Sequence, residues 1–293
     1  FLMDCILLLE KQKETNHYQI QSLPINSGVF CLKKDRFQDV VWIGTDGQGV
    51  YLYSNPLYSI KSMVLSNYTE KIERPVRAIY LDDERTFWVG TKGNGILKIY
   101  DYEFDKNISD CRAEVLTTSN SALSSNAVYC FAKSHRNLLW IGDEEGLTYY
   151  SYREKRIKSI PIRIGNEDFK YIHDIYETAD SELWLASVGM GVVKARIAGT
   201  PDNPVIVDAQ RYIINDGELG SNYFFTIYAE NEANLLFGNK GYGVFRYNET
   251  TNGLEPVSTH KYENMTLNNI LAISKDSSNN YLFGTSYGLI KYT

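Results

Sequence analysis

One short phrase recurs six times along this chain at near-even spacing, and it fixes most of what the chain can become. Its clearest copy is Val41-Trp42-Ile43-Gly44-Thr45-Asp46-Gly47-Gln48-Gly49-Val50-Tyr51-Leu52-Tyr53. Aromatic and β-branched residues flank two glycines, the pattern of a strand, a tight turn and a second strand. The position of Trp42 is taken again by Trp88, Trp140, Trp184, Leu236 and Leu282, at steps of 46, 52, 44, 52 and 46 residues. Six copies at such a period make a repeat protein.

Each phrase follows a short apolar stretch, read here as an inner strand. These are Val29–Lys33, Val76–Leu81, Val128–Lys133, Ile172–Glu177, Phe224–Ala229 and Ile270–Ser274. A looser fourth strand follows, as at Ala113–Thr117 or Val205–Tyr212, except that the last copy lacks one. Four antiparallel strands repeated in this way cannot bury their own faces, and the expected fold is all-β, a β-propeller of four-stranded blades. The 293 residues read as one propeller domain, with six repeats over residues 24–293. Residues 1–23, with strands at Cys5–Glu10 and Tyr18–Leu23, read as an outer hairpin of a split blade. Either six blades close, with Tyr18–Leu23 as the missing last strand, or six signatures belong to a seven-bladed ring. The second is favoured. The absence of an initial Met suggests a piece of something longer.

Stacking the six inner strands gives two columns. One is small or short: Cys31, Ala78, Cys130, Asp174, Thr226 and Ala272. The next is large and apolar: Leu32, Ile79, Phe131, Ile175, Ile227 and Ile273. Crowding about a central axis explains the first and blade-to-blade packing the second.

Composition narrows the function classes. A net charge of −6 argues against a nucleic-acid surface. Phe1–Leu9 is too short to span a bilayer and lacks a signal peptide's basic leader, so any membrane contact belongs to flanking segments. The four Cys form no C-x-x-C pair and the four His no ligand spacing, so neither a metal nor a cofactor is expected. Tyr is abundant at 23 residues, which suits strands and also stacking platforms. No hydrolase, phosphate-loop or dinucleotide motif is present.

In a propeller, the segments leading into the inner strands and the glycine turns share one end, at the channel mouth. The residues two before each inner strand are Ser27, Arg74, Asn126, Lys170, Asn222 and Asn268. They form either a ring of donors for a hydroxyl-rich or anionic ligand, or ordinary loop formers. The second residues of the inner strands are Phe30, Arg77, Tyr129, His173, Phe225 and Leu271, each two before the large apolar column. Arg77 and His173 break an apolar pattern there, as a functional site or a local ion pair would. Tyr171 and Tyr223 add stacking faces. Asp174 is the one acid placed near the axis, either a general acid or base or a hydrogen-bonded structural residue.

The phrase W-I-G-T-x-G-x-G leading to a strand that ends in Tyr, as in Trp42–Tyr53 and Trp88–Tyr100, resembles the two-component regulator propeller repeat. The lead-ins Leu123-Ser124-Ser125-Asn126 and Leu219-Gly220-Ser221-Asn222 are similar to that family too. Ala186, Leu236 and Leu282 depart from the pattern. The resemblance implies a non-enzymatic, periplasmic sensor domain of a hybrid two-component receptor with a histidine kinase in the full-length protein. It implies oligosaccharide ligands from polysaccharide breakdown, a second propeller and a β-sandwich in the same receptor, and a homodimer. The alternatives are a propeller glycoside hydrolase or lyase, and a protein-binding scaffold.

Overall fold

A computed structural model describes residues 6–11, 18–23, 25, 27–36, 40–54, 74–102, 111–214, 222–257 and 269–292. Among them there is no helix, and so none long and apolar enough to cross a membrane. Six sheets carry the glycine phrase. Blade 1 shows Val29–Lys34, Val40–Thr45 and Val50–Ser54. Blade 2 has Val76–Leu81, Phe87–Thr91, Ile96–Ile99 and Ala113–Leu116, and blade 3 has Val128–Lys133, Leu138–Asp143, Leu147–Ser151 and Arg156–Ile160. Blade 4 has Ile172–Glu177, Glu182–Ser187, Gly191–Thr200 and Asn203–Tyr212. Blade 5 has Phe224–Asn231, Asn234–Asn239, Gly243–Asn248 and Gly253–Val257. Blade 6 has Ile270–Lys275, Tyr281–Thr285 and Gly288–Tyr292.

The inner strands touch in order and the sixth touches the first, so the ring closes with six blades. A seventh is not needed, which corrects the favoured blade count. The first strand of the chain, Ile6–Lys11, pairs in parallel with Gly288–Tyr292, and Tyr18–Leu23 adds a fifth strand outside it. The last blade is therefore completed by the first strand of the hairpin, not by the second as expected.

The core explains why the blades need one another. Among the described residues it divides into six clusters, and every cluster spans two neighbouring blades. The large column faces the preceding blade: Ile79 packs with Trp42, and Ile175 with Trp140. The tryptophans face the following blade, nearly or fully buried. Full burial of such side chains against a neighbour contributes about 2–3 kcal/mol each.

The small column has a sharper cause than crowding at the axis. Its members stand opposite the phrase's glycine: Cys31 opposite Gly44, Ala78 opposite Gly90, Cys130 opposite Gly142. The first residue of the next blade's inner strand comes against the same spot. A Cβ built on Gly142 would lie 2.4 Å from Cys130 Sγ and 2.6 Å from the Ile172 carbonyl oxygen. The small column and the glycine opposite it are both small because three strands converge there. A second constraint falls on Gly95, whose φ of 75° is left-handed and whose Cβ would lie 2.2 Å from Leu116 O.

Candidate functional site

The glycine turns and the lead-in segments do share one end of the ring. The backbone N–H of Asp46, Lys92, Glu144, Val188 and Lys240 each donates to the carbonyl just before its own inner strand, at 2.9–3.1 Å. The Gly93 and Gly95 N–H groups donate to Asn126 O of the next blade, and those of Gly189 and Gly191 to Asn222 O. Thr45 and Thr91 close their turns by donating a hydroxyl to Gly49 O and Gly95 O, each at 2.8 Å. The mouth is thus rimmed by fixed backbone.

Below the rim, every inner strand carries a β-bulge at the same place. The register shifts between Val29 and Cys31, Val76 and Ala78, Val128 and Cys130, Ile172 and Asp174, Phe224 and Thr226, and Ile270 and Ala272. The six extra residues have no partner on the second strand. They are Phe30, Arg77, Tyr129, His173, Phe225 and Leu271, and all six line a central cavity of about 380 Å³. A bulge re-aims a side chain that alternation would turn into a sheet face. These residues therefore do not share a face with the apolar column two along, contrary to the simple period of two.

The six side chains form a collar. His173 stacks on Tyr129 with ring centres 4.1 Å apart and meets Phe225 edge-on at 5.2 Å. The Arg77 guanidinium lies over Phe30, 3.2 Å from its ring centre. Burial, with the Arg77 and Lys92 charges adding, holds the His173 pKa down at about 3, so this imidazole is neutral. Burial, with Glu144 next, pushes the Tyr129 hydroxyl up to about 12. Arg77 is also lowered by burial, partly offset by Asp46, but a guanidinium keeps its charge. Its Nε is buried without a hydrogen-bond partner, and Arg77 forms no ion pair among the described residues. The collar sets four aromatic rings and Leu271 beside one cation that forms no ion pair among the described residues.

The other candidates lie elsewhere or are occupied. Asn126 accepts from Thr118 N and Asn222 from Ile214 N with their side-chain oxygens. Ser27 donates to Asp46 O at 2.6 Å, and Lys170 pairs with Glu145 at 2.5 Å. Arg74 is exposed, with its stem over Gly93. Tyr171 is 42% exposed, while Tyr223 rests against Gly189 with Lys240 Nζ 5.7 Å from its ring centre. Asn268 lies outside the described residues. Asp174 accepts from Thr226 Oγ1 at 3.0 Å and Ile227 N at 2.6 Å in blade 5, and from Ile175 N at 2.9 Å. Burial raises its pKa. Those three bonds make it a tie between blades.

The collar partners Phe30, Phe225 and Leu271 stand outside the sequence-based site set. Their shared position in the six aligned repeats was the available signal; the bulge was not, since register is a property of two strands. Among the described residues no group of three His, Cys, Asp or Glu is placed to hold a metal.

The chain resembles solved extracellular domains of putative hybrid two component systems. It matches that of a putative hybrid two component system from B. thetaiotaomicron with a TM-score of 0.63 at 21% identity, covering 94% of this chain and 35% of the other. A second extracellular domain of that kind, also from B. thetaiotaomicron, gives 0.58 at 15%, covering 99% and 44%. The chain therefore spans under half the length of these domains. A streptogramin B lyase structure gives 0.62 at 12%, covering 92% and 82%. At these identities the likeness is one of fold. A translation initiation factor 6 from Saccharolobus solfataricus is 31% identical over 140 residues, 43% of this chain and 57% of that protein. No family model matches the chain.

Proposed function

We propose that this propeller is the ligand-sensing part of a periplasmic receptor, a hybrid two-component sensor that answers to oligosaccharides released from polysaccharides and signals to transcription. The observation that carries the reading is the bulge collar. Each of the six repeats sets its bulge residue in a common cavity, and those six bring four aromatic rings, Leu271 and the cation Arg77, with Lys33, Lys34 and Asp174 also in the lining. Rings suit the apolar faces of a sugar, and an unpaired guanidinium suits a carboxylate on it. The resemblance of the Trp42–Tyr53 phrase supports the sensor role, as does the likeness to two extracellular receptor domains. In that role the domain adjoins a second propeller and a β-sandwich, dimerises within the full receptor and performs no turnover.

The likeness to a lyase supports a second reading, an enzyme on the same ring. Titration calorimetry against neutral and uronic oligosaccharides, with product analysis of the same mixtures, separates the two. We expect saturable heat with an acidic oligosaccharide and unchanged sugar afterwards. Arg77→Gln weakens that binding at least about tenfold, as loss of a charged hydrogen bond does, and leaves neutral sugars alone. Accumulating product supports the lyase instead. Heat from no sugar at all ends the sensing reading for this domain.

A further inference from the structure

A second concavity lies on the outside of the ring, between the outer strands of blades 2 and 3, with a volume of about 950 Å³. Five cationic side chains line it against two carboxylates, Glu84 and Glu114, in a chain whose net charge is −6. Arg156 and Lys158 are held by Glu154. The other three form no ion pair among the described residues, and two of them lie against aromatic rings. Lys98 is only 5% exposed, and its Nζ sits 4.7, 4.6 and 4.4 Å from the ring centres of Trp88, Tyr100 and Tyr150. Its hydrogen bond goes to the Tyr150 hydroxyl oxygen at 3.0 Å. The Arg112 guanidinium lies 4.6 Å from the Tyr100 ring centre. The Arg112 and Lys155 side chains have no hydrogen bond or ion pair among the described residues.

Aromatic faces hold a cation in place without neutralising it, and a guanidinium lying over a ring keeps N–H groups at its edge available, while the enclosed Lys98 adds its charge from beneath. Glu114 accepts the Tyr100 hydroxyl at 2.6 Å and takes no N–H from the three cations. Positive charge fixed by rings in a walled groove is arranged for an anion that arrives from outside.

We propose that this groove is a second ligand site, independent of the channel collar, which takes an oxyanion (the sulfate, phosphate or carboxylate group of a small ligand) on Lys98, Arg112 and Lys155. The test is titration of the chain with sodium sulfate, sodium phosphate and sodium glucuronate at fixed ionic strength, read by tryptophan emission because Trp88 touches Lys98. We expect a saturable response to at least one anion, and the preferred one identifies the oxyanion. Lys98→Met and Arg112→Gln each weaken it at least about tenfold. Glu114→Gln tightens it, and Arg77→Gln leaves it unchanged. Arg112 and Lys155 are exposed, so Arg112→Gln and Lys155→Gln keep the test decisive if Lys98→Met fails to fold. No saturable response to any of the three anions overturns the proposal. So does wild-type binding by both exposed variants, or equal loss in Arg77→Gln.

Discussion

Blades 3 and 4 stand side by side and meet the same steric demand with different chemistry. In blade 3, Cys130 faces Gly142, and its thiol lies 3.7 Å from Ile172 O of the next blade. In blade 4, Asp174 faces Ala186 and reaches blade 5 through Thr226 Oγ1 and Ile227 N. At the end of the second strand, blade 3 has buried Asp143 and blade 4 has buried Ser187. Trp140 donates to Glu177 Oε2 at 2.7 Å, whereas Trp184 packs against Tyr212 and Tyr247. What the ring requires at the hub is a small pair. A side-chain tie to the next blade is added in blades 3 and 4 and dispensed with in blades 2 and 6, which carry Ala78 and Ala272 there.

The largest effect should come from closing the gap that blade 3 keeps open. Gly142→Val sets side-chain atoms against the Ile172 carbonyl, a backbone atom that cannot move without shifting blade 4. A loss of more than about 3 kcal/mol is expected by denaturant unfolding. Stability within about 1 kcal/mol of wild type would break the argument that the phrase's glycine is steric. Removing blade 4's tie comes next. Asp174→Ala leaves the Ile227 and Ile175 N–H groups without acceptors, at a cost of about 2 kcal/mol.

Asp143 sharpens the comparison through pH. Burial raises its pKa from 3.8 to about 6, against hydrogen bonds from Ser124 Oγ, Glu145 N and Gly146 N. The folded state holds this proton more tightly than the unfolded chain does. Its contribution is therefore favourable in acid and is lost as pH rises from 3.8 through about 6. Asp143→Asn, which copies Asn239 of blade 5, keeps the two backbone bonds. It should remove that slope and stabilise the fold at pH 7 by on the order of 1–2 kcal/mol. Unfolding curves at several pH values check it. The smallest change is Cys130→Ala, under about 1 kcal/mol, since a thiol–carbonyl bond is weak and blades 2 and 6 already carry Ala78 and Ala272 there.

The same comparison marks how far sequence could reach. The strand order, the inner strands and the two columns were legible because packing against a neighbour repeats at every blade. Cys31, Ala78 and Cys130 could be aligned by eye, but the reason for their size needed the cross-strand glycine. Closure by six blades was not legible, because the partner of Gly288–Tyr292 lies at the far end of the chain. Arg77 and His173 were found as breaks in a pattern, while Phe30 and Phe225 were hidden by conforming to it. The Lys98 groove was invisible: Trp88 and Tyr150 come from strands of two different blades, Tyr100 and Arg112 from the two ends of a connection, and no local spacing joins them.

The parallel pairing of Leu7–Glu10 with Gly288–Lys291 has a kinetic consequence. The earlier strand must wait, one edge unpaired, for a segment about 280 residues further along the chain. The entropy of joining such distant segments exceeds that of one repeat by only about 1.5 kcal/mol, so the delay is in searching and not in the final balance. During that interval a second chain offers the same free edge. Crowded refolding should therefore favour pairs of molecules that have exchanged their opening strands, and dilution should favour rings that have kept them.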